Sequence, residues 1–257
     1  MTIAHQKDVP AFLLWVDIET TGLDPVEDLI LEMAVILTRF FYPYDHVCRA
    51  SFLVKCPPKA VEEALQANSF VRDMHMRTGL LSDLKNHTEQ ARSLSEIEEQ
   101  LLDLSKDWQP APAEDPEVIK LKRQRDEALS ALQMHEAAVG LGEGVLEQVR
   151  RCYDGCEKAY REECALATDR RVVLAGSSVH FDKGFLQLAM PRFMRRVSHR
   201  IFDVSVASLL CRSLGMPRLP KPDDKSSHRA GYDVARSIEQ MKMCERWIKS
   251  LDALKGV

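Results

Sequence analysis

The sequence predicts an α/β protein: a mixed sheet flanked by helices, with an α-helical hairpin inserted between its two parts. Three observations lead there. Apolar runs bounded by turn residues open the chain and return after its middle, segments with helical apolar spacing fill the intervals, and the middle itself follows a Pro-rich stretch and shows only helical periodicity. The 257 residues, 45% of them hydrophobic, suffice for one sizeable core with an appendage.

The elements follow in order. Phe12 to Glu19, Leu29 to Phe41 and His46 to Val54 read as a three-strand antiparallel meander, turning at Asp24-Pro25 and at Tyr42-Pro43-Tyr44. Helices are expected over Lys59 to Ala67, near Phe70 to Met76, and over Thr88 to Leu104. Arg170 to Ala175 (RRVVLA) reads as a strand that rejoins the sheet parallel to the first, and a final helix runs through Ser237, Met241 and Trp247. In the middle, QPAPAEDP (Gln109 to Pro116) leads into Glu117 to Val139, where Val118, Leu121, Leu129, Leu132 and Val139 recur at helical spacing. GLGEG (Gly140 to Gly144) breaks that pattern, and Val145, Val149, Cys152 or Tyr153, Cys156, Tyr160 and Cys164 resume it, so an antiparallel helical hairpin is expected. The division is therefore 1–105, 106–168 and 169–257. GLGEG lies between helices rather than after a strand, which excludes a phosphate-binding glycine loop.

Composition narrows the function. A net charge of −4 gives no basis for strong electrostatic binding of long duplexes. From Ala189 to Arg229, however, nine Lys or Arg stand against three acids, a local excess able to receive a phosphate backbone. From Glu114 to Glu163 twelve acids outnumber eight Lys or Arg, which disfavours nucleic acid there and favours packing or a protein partner for the hairpin. Seven cysteines without a CxxC pair argue against a disulfide framework and a zinc cage. No run is long and apolar enough to span a membrane, and MTIAHQKDVP lacks the apolar core of a signal peptide, so a cytoplasmic or otherwise intracellular location is expected.

Chemistry concentrates in three places. In DIETTGLD (Asp17 to Asp24) two carboxylates two residues apart end a strand, so Asp17 and Glu19 share a face. Acids aimed at one spot repel unless a cation sits between them, and hard divalent ions prefer such oxygen ligands. In AGSSVHFDKGFL (Ala175 to Leu186), Asp182 follows a turn where a helix begins. In SHRAGYD, His228 and Asp233 lie five apart at the start of the last helix; an offset of five puts them roughly 140° apart, flanking a site.

Order and spacing together resemble the DEDDh 3′-to-5′ exonucleases, which carry D-x-E-x-T-G, an Asp after a strand and turn, then H-x-x-x-x-D. Within that superfamily the chain is most similar to oligoribonuclease, through TGLDP (Thr21 to Pro25), MHMRTGL (Met74 to Leu80) and RIFDVS (Arg200 to Ser205), with similarity covering Phe12 to Leu104 and Val172 to Trp247. Two positions depart from that family: Thr20 stands where methionine is usual, and Ile201 replaces a tyrosine associated with substrate binding across the family's dimer interface.

The resemblance implies a ribonuclease H-like fold and a homodimer. It implies that Asp17, Glu19, Asp182 and Asp233 hold two divalent ions, Mg2+ or Mn2+, with His228 as general base, and that Leu23 and Phe70 meet bases while His75 and Ser178 touch phosphate. The expected activity is degradation of short single-stranded oligonucleotides, RNA preferred, to 5′-mononucleotides. Action on longer single-stranded DNA or RNA 3′ ends is the alternative suggested by Thr20 and the insert. A partner-binding scaffold on a nuclease fold is the alternative of another class, opposed by the intact set of five residues.

Overall fold

The computed structural model describes residues 12–40, 44–105, 116–137, 143–169, 172–220 and 227–254. The expected turn at Tyr42-Pro43, most of the Pro-rich linker and the start of GLGEG lie outside them. Residues 10–105 and 172–257 make one compact unit, and 106–171 fall into another.

The first unit is built on a mixed five-stranded sheet. Its strands are β1 (Phe12–Thr20), β2 (Ile30–Arg39), β3 (His46–Leu53), β4 (Val173–Gly176) and β5 (Ile201–Asp203), in the order β3-β2-β1-β4-β5. β1, β2 and β3 pair antiparallel, whereas β4 joins β1 parallel and β5 joins β4 parallel. This is the layout expected of a ribonuclease H-like sheet. Its helices are α1 (Pro58–Ala67), α2 (Ser69–Arg77), α3 (Leu80–Asn86) and α4 (Leu94–Leu104) before the insert, then α7 (His180–Ala189), α8 (Pro191–Met194), α9 (Val204–Ser213) and α10 (Ala230–Leu254). The insert contributes α5 (Pro116–Ala137) and α6 (Glu143–Asp169).

Side-chain alternation on β1 links core and site. Leu13 and Trp15 bury against Ala230, Val234 and Ile238 of α10, together with Ala34, Ile36, Val173 and Ala175 of neighbouring strands. Asp17 and Glu19 continue the same parity, so they lie on the face that α10 covers, at the end of the strand. Trp15 Nε1 donates to the buried Thr38 Oγ1 at 2.8 Å, which satisfies two polar groups inside this core.

Two expectations need correction. The helix expected over Thr88 to Leu104 begins only at Leu94, because Ser93 and Glu96 form a reciprocal capping box. Ahead of it, Arg92 extends the sheet edge instead, its N–H donating to Leu53 O at 2.9 Å and its carbonyl accepting from Lys55 N at 2.8 Å. The expectation also omitted α3, which starts immediately after left-handed Gly79 (φ 80°). In the insert, α5 and α6 pack on each other, with the Arg125 guanidinium 4.4 Å above the Tyr160 ring; Glu143 and Gly144 belong to α6 rather than to the break.

Candidate active site

Three elements deliver the four acids of the sequence pattern. Asp17 and Glu19 come from the end of β1, beyond its last pair with β4 at Trp15 and Ala175. With β4 ended, the Ile18 N–H donates to Asp182 Oδ1 at 3.0 Å, and this bond seats the first turn of α7 against β1. Gly176 lets the end of β4 lie close against β1, since a Cβ there would meet Val16 O at 2.8 Å. Asp233 projects from the first turn of α10.

His228 lies outside that helix, contrary to the sequence expectation, because α10 begins at Ala230. Its backbone is left-handed, with φ 60°, and its N–H donates to Asp233 Oδ2 at 2.8 Å. Ligand atoms of Glu19, His228 and Asp233 lie within 4.8 Å of one another. A backbone bond rather than a helical offset thus brings His228 and Asp233 to one spot. Asp17 and Asp182 join them through charge: Asp182, Glu19 and Asp233 all push the Asp17 pKa up.

The electrostatics describe a site short of positive charge. Burial first, then repulsion from Asp182, Glu19 and Asp233, holds Asp17 well above the usual carboxylate range. Burial, with Asp233 and Glu32, pushes Glu19 up to about 8. Asp182 is raised by burial to about 7, against the lowering effect of its hydrogen bond from Ile18. Burial also raises Asp233. The neighbouring guanidinium of Arg229 lowers Glu19 only in part, and it is itself bound to Glu32 and Asp83 at 2.8 and 2.9 Å. Oxygen donors crowded to this degree, with no thiolate among them, fit hard divalent cations.

The four expected substrate contacts differ in placement. Leu23 stands 74% exposed on a loop locked by Asp28, whose carboxylate accepts from Thr21 Oγ1 at 2.8 Å and Asp24 N at 3.0 Å. Gly22 makes room for that carboxylate, which a Cβ would overlap. Phe70 is 73% exposed on α2. His75 is fully buried: Nε2 bonds Thr20 O at 2.9 Å, and Nδ1 has no hydrogen-bond partner and sits 3.9 Å from Glu19 Oε2. With Asn68 Nδ2 donating to Thr21 O at 3.4 Å, His75 docks α2 on the Leu23 loop, so the two exposed apolar side chains stand on joined supports. Ser178 is left-handed, its N–H bonded to Asp203 Oδ1 at 3.0 Å and its hydroxyl 3.3 Å from that of Ser205. Beside it opens a groove of about 290 Å³ lined by Ser177, Ser205, Ser208, Arg212 and Gln240, among others.

The sequence reading missed Glu32, Arg229 and Asp28. Glu32 carried a usable signal, being an acid within the otherwise apolar run LILEMAVIL, where a buried charge demands a partner.

Asp-x-Glu, a second Asp, then His and Asp stand around one strand end, the arrangement that the resemblance to DEDDh exonucleases leads one to expect. Similarity to known proteins bears out that resemblance and its narrower form. The chain is 26% identical over 235 residues to the probable oligoribonuclease of Dictyostelium discoideum, covering 90% of this chain and 86% of that protein. It is 27% identical to the mitochondrial oligoribonuclease of Homo sapiens, at 90% and 70% coverage, and 23% identical over 232 residues to the oligoribonuclease of a serogroup B strain of Neisseria meningitidis, at 90% and 88%. No family model matches the chain. Among solved structures, the zinc-bound complex of E. coli exonuclease I with single-stranded DNA overlaps at a TM-score of 0.45 and 12% identity; it covers 95% of this chain, which spans 43% of that one. Among the described residues no helix is long and apolar enough to cross a membrane.

Proposed function

We propose that this protein is a metal-dependent 3′-to-5′ exoribonuclease that shortens oligoribonucleotides to 5′-mononucleotides. The observation that carries the reading is the convergence of Asp17, Glu19, Asp182 and Asp233 with His228 at the end of β1, in a site whose acids are buried and mutually repelling. Similarity to oligoribonucleases over nine-tenths of the chain supports the substrate class.

Asp17, Glu19, Asp182 and Asp233 would hold two divalent ions, Mg2+ or Mn2+. Such ions, when bound, supply charge stabilisation at the scissile phosphate and lower the pKa of water. His228, exposed at the rim, takes a proton from the attacking water. Oxygen of that water bonds to phosphorus as the bond to the 3′ oxygen breaks, releasing a 5′-mononucleotide. Leu23 and Phe70, both exposed, would offer apolar surface to the terminal bases, and Ser178 would meet phosphate.

A substrate of few nucleotides fits two exposed apolar side chains on joined supports close to the acids. Incubating the protein with end-labelled di-, penta- and twenty-nucleotide RNA and DNA, with and without Mn2+, tests the reading. Dinucleotide and pentanucleotide RNA should be consumed fastest per end. Faster cleavage of the twenty-mer would point to longer single strands as the substrate, and no cleavage with Mn2+ present would contradict the proposal.

A further inference from the structure

Glu32 is a fifth acid at the site, and its bonding sets it apart from the other four. It faces Glu19 directly across the β1–β2 pair, a placement in which like charges repel. It is 5% exposed, and both its oxygens are committed. Oε1 accepts from Arg229 Nη2 at 2.8 Å and Nε at 3.2 Å; Oε2 accepts from Arg229 Nε at 3.1 Å and from the Ala230 backbone N–H at 2.9 Å. A bidentate guanidinium pair and a helix N-terminus together compensate the buried charge.

The consequence falls on the neighbouring residue. His228 holds a left-handed backbone, a conformation strained for a non-glycine residue and kept only where surroundings enforce it. On one side its N–H is tied to Asp233. On the other, Arg229 is stapled to three elements at once: Glu32 on β2, Asp83 on α3, and the Thr78 carbonyl at the end of α2. Resting on the reading of His228 as the base, we infer that Glu32 is a positioning residue for the reaction: through Arg229 and Ala230 it sets His228 beside Glu19 and Asp233, and it holds no metal itself. Its lone pairs are occupied by N–H donors, so it has none to give an ion.

The test uses the full chain as Glu32→Gln and Arg229→Gln variants, with unfolding temperatures confirming that each folds. Histidine-ring NMR without metal reads the geometry, the His228 signal being identified by its loss in His228→Ala. In both variants that signal should move or split, whereas that of His46, at the far end of β3, should stay. In kinetics with Mn2+, kcat should fall on the order of 10²-fold, the usual consequence of a displacement of about 1 Å. KM and the half-saturating Mn2+ concentration should stay within about threefold, and the double variant should lose no more than either single one. An unmoved His228 signal overturns the inference. So does a tenfold rise in half-saturating Mn2+ with kcat restored at saturation, which would make Glu32 a ligand. A wild-type protein that hydrolyses nothing while the variants still move His228 would refute the function and leave the anchor standing.

Discussion

Without metal, the folded protein should lose stability as pH rises from 5 to 8, and the site's acids set the size of the loss. Glu19 titrates near 4.5 when unfolded and near 8 in the fold, which corresponds to on the order of 5 kcal/mol at 1.36 kcal/mol per pH unit. Asp182 is raised similarly, from 3.8 to about 7, but burial and repulsion are shared among the acids, so the contributions do not add. The folded state binds these protons more tightly than the unfolded chain does. Stability from them is therefore fully present below about pH 4.5 and is lost as pH climbs toward 8. At roughly 2–4 °C per kcal/mol, a loss on the order of 5 kcal/mol lowers the unfolding temperature by about 10–20 °C. Thermal unfolding in EDTA across pH 5–9 measures it. Glu19→Gln should flatten the curve and, at pH 8, unfold at a higher temperature than the wild type. Added Mn2+ should raise the wild-type midpoint more at pH 8 than at pH 5, since it competes with protons for the same oxygens. A flat wild-type curve in EDTA, or a Glu19→Gln protein less stable than wild type at pH 8, would refute the reasoning.

Other consequences are equally open to measurement. Asp17→Ala should keep its circular dichroism spectrum and lose more than about 10²-fold in kcat at saturating metal, since a ligand to the charge-stabilising ions is gone. His228→Ala should keep its unfolding temperature within a few degrees and lose most of the rate at saturating Mn2+, and a variant that turns over undiminished would show that another group activates the water. Phe70→Ala should weaken dinucleotide binding by about 1–3 kcal/mol, visible in KM, while the unfolding temperature of a side chain already exposed stays put. Replacing residues 109–168 with a short Gly/Ser linker should leave dinucleotide hydrolysis largely intact in a folded protein. The insert joins the catalytic unit ahead of β4, whereas Asp182 follows it; complete loss of activity would show that the insert takes part in the site.

Much of this arrangement is legible in the sequence because period-two alternation is local. From AFLLWVDIET alone, Asp17 and Glu19 share a face, and the strand was expected to end at Glu19, one residue short of its end at Thr20. Asp182 is likewise legible from its place after a strand and turn. His228 is harder, because a left-handed backbone bonded to Asp233 leaves no periodic trace, and helical spacing applied to it gives the wrong geometry. The start of α4 was open to a closer reading, since Ser93 and Glu96 have capping-box spacing. Glu32–Arg229 and Thr21–Asp28 lie beyond local patterns: the first pair joins residues 197 positions apart, and the second depends on a loop closing on itself. The burial of His75 could not be seen either, because its partner, Thr20 O, is a backbone atom 55 residues away.

The proposed function stands on these four acids and His228 making a metal-dependent exonuclease that works from the 3′ end. A pentaribonucleotide labelled at its 5′ end, incubated with the wild type and with Asp182→Ala at saturating Mn2+ and again in EDTA, tests it most directly. A ladder of labelled products shortened one nucleotide at a time, with release of 5′-mononucleotides, should appear only for the wild type and only with Mn2+. A ladder in EDTA, an undiminished ladder from Asp182→Ala, or release of the labelled nucleotide as the first product would contradict it.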